Sequence, residues 1–364
     1  MWDTVIAGAG PAGSVSAHVL ARNGRQVLFV DAVPRHTIKV GEALPGAALR
    51  LLRSLGLPVP EGQKPHTSIG GNLSSWGSED LVATDFFHDP DGPGWRLDRL
   101  LFDATLIEAA TSSGATFKRA RVLAAVRDSE VWRIKLDDGE ITSANWLIDA
   151  TGRSACLARR FDTKWLRDTP LTALFGIGQP QKEFGLNRTL VEAVPRGWWY
   201  AGLLPSGSPI VGVHLHPEDA GRLAASPAAW KNALMETCHI RAAFPGVVFN
   251  FPLLALDASG GRLSRFSGDG WLACGDAAMS FDPISAQGII SALHSGMMAG
   301  MAIHGILEGD PESMSRYNSR LEEIRRIYWS RCRNIYQSET RWPNNRFWLR
   351  SDNLTKEFHR GDND

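Results

Sequence analysis

The sequence predicts an α/β protein. It comprises a Rossmann-type dinucleotide-binding domain, a second domain on a mostly antiparallel β-sheet, and C-terminal helices. Three observations predict this. The opening residues read as strand, glycine turn, helix and second strand. The stretch from Leu171 to His216, with Val247 to Leu254, is strand-like and punctuated by turns. A further apolar strand, Trp271 to Cys274, runs into a long small-residue helix, and an arginine-rich helix follows from Glu312 to about Ser338.

The first thirty residues carry the strongest signal. Thr4 to Ala7 is a short apolar run, followed at once by Gly8-Ala9-Gly10-Pro11-Ala12-Gly13. Ser14 to Asn23 reads as a helix closed by Gly24, and Gln26 to Val30 as a strand ending in Asp31. This is G-x-G-x-x-G between strand and helix, with an acid at the end of the next strand. Gly8 permits the tight turn, Gly10 lets a pyrophosphate approach the backbone, and Gly13 lets the helix pack on the sheet. The helix N-terminus offers free N–H groups to phosphates. Asp31 can accept from a ribose hydroxyl. The arrangement points to a dinucleotide rather than to an ordinary glycine turn.

The rest of the chain reads in order. Arg35, Lys39 and Glu42 lie on the loop entering a helix from Leu44 to Gly56, either as solvated charges or beside the ribose or phosphates. Strands follow over Thr67 to Gly77 and Leu81 to Phe87. Leu97 to Ser113 reads as a helix whose start is flanked by Arg96 and Arg99. Arg99 either reaches the cofactor or forms a surface ion pair. Short strands lead to Asp149-Ala150-Thr151-Gly152, a second place where backbone approaches a nucleotide. Glu218 to His239 reads as two helical pieces broken near Pro227. Pro343 to Asp364 is a polar tail with Phe347, Trp348 and Phe358 as apolar anchors.

Composition sets limits. The 364 residues suffice for two lobes, and 43% apolar content is ordinary for a globular protein. The 39 basic and 39 acidic residues cancel, which favours neither nucleic acid nor an anionic membrane. Cys156, Cys238, Cys274 and Cys332 are far apart without a C-x-x-C pair. That argues against zinc or a disulfide scaffold and fits a cytoplasmic protein. No signal peptide is visible ahead of the first strand. Ile289 to Leu307 is apolar enough to span a membrane, but its glycines and histidines fit a closely packed buried helix instead. His214 and His216 alternate on a strand; no third ligand has suitable spacing, so a polar strand face is expected rather than a metal. Thirteen tryptophans are many. Trp76, Trp95, Trp198, Trp199 and Trp342 lie beside glycine or proline, and either line a site for an aromatic group or pack the core.

Three motifs now stand in order: Gly8 to Gly13 with Asp31, Asp149 to Gly152, and Gly275-Asp276-Ala277-Ala278 with Pro283 and Gln287-Gly288 after it. Together they resemble the FAD-dependent aromatic hydroxylase and flavin halogenase superfamily over nearly the whole chain. Val40 to Pro45, Gly94 to Arg99 and Gly197 to Tyr200 are similar to a narrower group, the flavoproteins that accompany quinone-cofactor amine and amino-acid oxidases. The resemblance implies the aromatic-hydroxylase fold and FAD. It implies a discontinuous FAD domain (1–66, 95–165 and 265–310), a β-sheet substrate domain (67–94 and 166–264) and a C-terminal helical region (311–364). It implies FAD contacts from Gly8, Gly10, Pro11, Ala12, Gly13, Asp31, Arg35, Lys39, Glu42, Arg99, Gly152, Gly275 and Asp276. The loop of Pro283, Ala286, Gln287, Gly288 and Ile289 would pass beside the isoalloxazine.

Departures from the resemblance narrow the activity. Ala286 stands where many relatives have glycine. Halogenases carry W-x-W-x-I-P, but the matching place reads Tyr200-Ala201-Gly202-Leu203-Leu204-Pro205. They also need a lysine on the strand near Ser68, and the nearest is Lys64. No second G-x-G-x-x-G is present, so the reductant, NAD(P)H or an external reductase, stays open, and no catalytic acid or base is nominated. The expected function is a monooxygenase that hydroxylates an aromatic ring, a tryptophan in the precursor of a quinone-cofactor oxidase. The alternatives are a small-molecule aromatic hydroxylase or halogenase, and a non-catalytic flavin-binding maturation factor.

Overall fold

Thr4 to Ala7 and Val27 to Val30 are fully buried, the pattern of strands covered on both faces. In the computed structural model, which describes residues 1–32, 39–86, 89–180 and 186–349, these strands lie at the centre of a parallel sheet. Val5 sits opposite both Leu28 and Leu147. Ile141–Asp149 flanks the first strand on its other side, and Trp271–Ala273 and Thr116–Lys118 extend the sheet in parallel. An antiparallel hairpin, Val122–Asp128 and Val131–Leu136, is appended to Ile141–Asp149. The C-terminal ends of the three strands ending at Ala7, Asp149 and Ala273 therefore share one edge of the sheet, where ligands of such folds bind.

Helices Pro11–Arg22 and Gly288–Leu307 pack against each other at backbone distance. A Cβ added to Gly296 would lie 2.3 Å from the Ala12 carbonyl oxygen, and one at Gly300 would lie 2.9 Å from Val19 Cβ. Ser16 Oγ donates to the Gly296 carbonyl at 2.8 Å. Gly288–Leu307 is long and apolar enough to cross a membrane, the one such helix among the described residues. Its small residues instead form the seam with the nucleotide-binding helix.

The second sheet has seven strands in the order Leu254–Asp257, Thr172–Ile177, Pro209–Leu215, Gly197–Leu203, Thr189–Val194, Gly71–Ser75, Val82–Asp85. Every neighbouring pair is antiparallel except Thr189–Val194 with Gly71–Ser75. Helix Ser313–Gln337 buries Tyr328, Trp329, Cys332 and Tyr336. Trp76, Trp198, Tyr336 and Trp348 meet edge to face beside it. Phe347 and Trp348 are buried anchors, while Phe358 lies outside the described residues.

Three expectations are corrected. The strand expected over Thr67 to Gly77 is two strands. Thr67–Ile69 pairs with Gly94–Arg96 in a small sheet, and Gly71–Ser75 joins the large one. The switch falls at Gly71, where an added Cβ would strike the Thr84 carbonyl at 2.2 Å. The strand expected over Val247 to Leu254 does not form; Phe249 makes one bridge to Gly178, and the strand begins at Leu254. Pro252 has no N–H to give a ladder. The two helical pieces expected after Glu218 are three, ending in His239–Ala243. Buried Glu192 accepts the N–H groups of Cys238, His239 and Ile240 at 2.6, 2.9 and 2.8 Å and so starts the last of them.

The helix seam makes a direct prediction. Gly296→Ala should lower stability to chemical denaturation by about 1–3 kcal/mol. Met301→Ala, on the same helix at 58% exposure, should change it by less than about 0.5 kcal/mol.

Candidate active site

Three bare stretches of backbone converge at the shared sheet edge. Gly8 has φ +102°, and an added Cβ would sit 2.2 Å from the Ala150 carbonyl oxygen. A Cβ on Gly13 would lie 1.9 Å from the Gly8 carbonyl. These two glycines therefore shape the turn rather than face a ligand. Gly10, Gly152 and Gly288 would each point a Cβ into open space, so their backbones border a cavity of about 400 Å3. Asp149 fixes the second stretch. Its Oδ1 accepts from Thr151 N–H and Oγ1, and its Oδ2 from Leu157 and Ala158 N–H, at 2.6–3.0 Å.

The cavity gathers most of the expected residues. Gly10, Pro11, Ala12, Glu42, Arg99, Gly152, Gly275, Asp276, Pro283, Ala286, Gln287, Gly288 and Ile289 all line it. Its opposite wall is one face of the seven-stranded sheet, formed by Ala173, Phe175, Trp198, Tyr200, His214 and Leu256. Bare glycines at a helix start suit a pyrophosphate, and an aromatic-lined chamber suits a flat ring system. The residues present thus fit a dinucleotide with a planar ring at one end.

Besides Gly8 and Gly13, two expected residues sit elsewhere. Asp31 does not line the cavity; its Oδ2 accepts from Ala9 N–H at 2.8 Å and so pins the glycine turn. Lys39 does not line it either. Its Nζ lies 2.7 Å from Asp103 Oδ2, and Arg99 Nε lies 3.2 Å from Oδ1. Asp103 is buried, so it draws both cations onto itself. Arg99 also donates to the Gly41 carbonyl at 2.8 Å, which ties the 39–42 segment to the helix Arg99–Ser112. Arg35 lies outside the described residues.

Glu42 lines the cavity but is not a solvated loop charge. Its carboxylate is buried against Arg96 at 2.8 Å and accepts a hydrogen bond from the Tyr200 hydroxyl. Arg96 also donates to Thr189 Oγ1 at 3.1 Å. Burial alone would lower the Arg96 guanidinium, but Tyr200 and Glu42 hold it above its usual value. Burial, with Glu42 beside it, raises the Tyr200 hydroxyl, which stays protonated as a donor. Gly202 makes room for this group: an added Cβ would lie 2.5 Å from Arg96 Nη1. Tyr200 and Gly202, the positions read in the sequence against the halogenase tryptophans, thus both border a buried ion pair.

Sequence reasoning missed several wall and support residues. Arg153 donates to the carbonyls of Ser259 and Phe281 at 2.6 and 3.0 Å, and its Nε lies 3.4 Å from Asp276 Oδ2. Desolvation raises the Asp276 carboxyl above the usual range; Arg153, and less so Arg99, pull it back part of the way. Asp282, which also lines the cavity, accepts from Tyr336 at 2.9 Å, and its N–H donates to Tyr328 at 2.8 Å. Trp198 Nε1 donates to the same Tyr336 hydroxyl at 3.1 Å. The two tyrosines come from helix Ser313–Gln337 and brace the Pro283 loop. The buried positions 328, 332 and 336 recur at helical spacing, the one signal that marked this face. His214 is not on a polar strand face. It is buried and stacked on Trp198, ring centroids 3.6 Å apart. Among the described residues no group of three metal-ligating side chains occurs. Cys274 lines the cavity, but burial pushes its thiol up to about 12, so it is no nucleophile at neutral pH.

Ala286 has φ +49°, a left-handed conformation that favours glycine. Ala286→Gly should therefore stabilise the protein by about 1 kcal/mol in denaturant unfolding. Arg96→Met should cost about 3–5 kcal/mol, because it strands Glu42 in the interior. Pairing it with Glu42→Gln should recover part of that loss.

Comparison with known proteins agrees with this geometry. Residues 1–167 match the family described as FAD binding domain. The chain is 28% identical over 359 residues to the FAD-dependent oxidoreductase LodB of Marinomonas mediterranea, covering 96% of each protein. A solved relative is QhpG, a peptidyl tryptophan dihydroxylase essential for tryptophylquinone cofactor biogenesis. It shows 25% identity and a TM-score of 0.74 over 96% of this chain and 78% of that one. The flavin-dependent halogenase CmlS shares the fold, with a TM-score of 0.87 at 21% identity over 98% of this chain and 69% of that one.

Proposed function

We propose that this chain, an FAD-dependent oxidoreductase whose first 167 residues form an FAD-binding domain, is a monooxygenase that hydroxylates a tryptophan side chain in the precursor of a quinone-cofactor oxidase. The observation that carries the reading is the likeness, in sequence and in fold over nearly the whole chain, to a peptidyl tryptophan dihydroxylase. The likeness to LodB points the same way through the group named from the motifs. Bound FAD supplies the redox chemistry, activating dioxygen once reduced by NAD(P)H or an external reductase.

The chain's own residues do the binding and positioning. The N–H groups after Gly10 would hold the pyrophosphate, with Gly152, Gly275 and Asp276 along the rest of the cofactor, while Asp31 keeps the glycine turn in place. The start of helix Gly288–Leu307 brings a partial positive charge to the cavity wall, where it stabilises negative charge. Trp198, Phe175 and His214 form an aromatic wall that can stack an indole and exclude water. Tyr336 and Asp282 hold Trp198 and the Pro283 loop in register with each other. None of the four cysteines forms a disulfide, in keeping with a reducing, cytoplasmic setting.

A halogenase reading draws on the CmlS fold match. Against it stand the Tyr200–Glu42–Arg96 group in place of the tryptophan motif and the lack of a lysine beside Ser68.

One experiment separates the readings. The FAD-loaded protein is given NAD(P)H or a flavin reductase, oxygen, bromide and the unmodified oxidase precursor. The expected product is the precursor carrying one or two added oxygen atoms on a tryptophan, found by peptide mass mapping. Bromine on an aromatic ring would favour the halogenase. Reduced flavin that reoxidises with no modified residue would remove the hydroxylase reading and leave a maturation factor.

A further inference from the structure

Part of the cavity wall on the seven-stranded sheet is a single row of cross-strand neighbours. Leu256 lies opposite Ala173, Ala173 opposite His214, and His214 opposite Trp198. All four line the cavity. The row stops at Leu256 because Leu254–Asp257 is the last strand of the sheet.

That edge is open. The Ala258 N–H donates to the Leu171 carbonyl at 2.8 Å. In an antiparallel ladder this parity makes Leu256 and Leu254 bond inward and turns the main-chain N–H and C=O of Ala255 and Asp257 away from the sheet. Among the described residues, neither makes a main-chain hydrogen bond on that outer side, and both residues are exposed. The strand, Leu-Ala-Leu-Asp, carries no lysine, proline or bulge to blunt it.

We infer that this edge receives an extended peptide as an added strand and so delivers an aromatic side chain of that peptide into the cavity. Two donors and two acceptors on alternate residues are matched by the main chain of another extended segment. The side-chain row selects the register. A residue opposite Leu256 on the added strand shares its face, about 4.8 Å further out. Its ring reaches across Leu256 to the small Ala173, beside the stacked His214 and Trp198. The strand thus presents the substrate residue, while the cavity selects its ring. The inference rests on the proposed function only for the identity of that ring as tryptophan.

Ala255→Pro tests it, because the substitution removes an outward N–H and leaves the inward ladder intact. The probe is a nine-residue serine and threonine peptide with one central tryptophan, titrated into the FAD-loaded full chain and followed by the flavin absorbance. N-acetyltryptophan amide is the control. The expected result is peptide binding about tenfold tighter than the amide, the worth of one or two main-chain hydrogen bonds. Ala255→Pro should erase that advantage while flavin content and amide binding stay as in the wild type. Peptide binding no tighter than the amide, or unchanged in Ala255→Pro, overturns the inference. Should that variant fail to fold, amide exchange on the wild type decides: slowed exchange at Ala255 and Asp257 with peptide supports the added strand, and unchanged exchange overturns it. The two claims fail separately. A peptide bound at the edge but never oxygenated removes the hydroxylase reading alone, and oxygenation indifferent to Ala255→Pro removes the edge alone.

Discussion

The structure depends on backbone meeting backbone where the glycine turn lies between two helices and a strand end. Gly13 rests on the Gly8 carbonyl, Gly8 on Ala150, and Gly296 on Ala12. A Cβ on Gly275 would come within 2.8 Å of Ala12 Cβ. Three segments far apart in the chain are thus joined through atoms that every residue shares, with no side chains to keep them apart. Close packing of this kind leaves no slack for an added methyl. The same bare backbone then serves as the wall that a pyrophosphate can approach.

Buried carboxylates organise the surroundings of that wall. Asp149 gathers four donors and sets the turn at Thr151 and Gly152. Asp103 holds Lys39 and Arg99, Glu42 holds Arg96 and Tyr200, and Glu192 caps a short helix. Each is satisfied by partners inside the protein, as burial requires. The consequence for chemistry is that these charges support the site rather than react in it. Aromatic wall, bare backbone and helix terminus remain to orient a ring and to shape the field around it, which suits an enzyme whose cofactor carries the reaction.

The C-terminal helix Ser313–Gln337 links the Pro283 loop to the seven-stranded sheet. Tyr328 and Tyr336 grip Asp282 at the start of the Pro283 loop, and Tyr336 also accepts from Trp198 on the sheet. One hydroxyl therefore sets the distance between the loop on one side of the cavity and the wall on the other. Gly202, beside this wall, shows the same coupling: its missing side chain is the space that Arg96 fills.

By itself the sequence determined the parts whose physics is local. A glycine turn needs its glycines at fixed spacing, a buried parallel strand needs its apolar run, and a packed small-residue helix needs its glycines. These made the dinucleotide-binding turn at Gly8 to Gly13 and the turn at Gly152 readable, while FAD and the contacts of Gly275, Asp276 and the Pro283 to Ile289 loop were implied by the family resemblance. Tertiary structure decided what depends on pairing across distance. Glu42 read as a loop residue, either solvated or beside the cofactor, because Arg96 and Tyr200 lie 54 and 158 residues away from it in the chain. His214 looked polar because the ring that stacks on it comes from the next strand. Strand limits at Gly71 and Leu254 followed from which sheet each segment joined, and the open edge at Ala255 from strand order. Burial and strand pairing are properties of the assembled chain, and no window of sequence contains them.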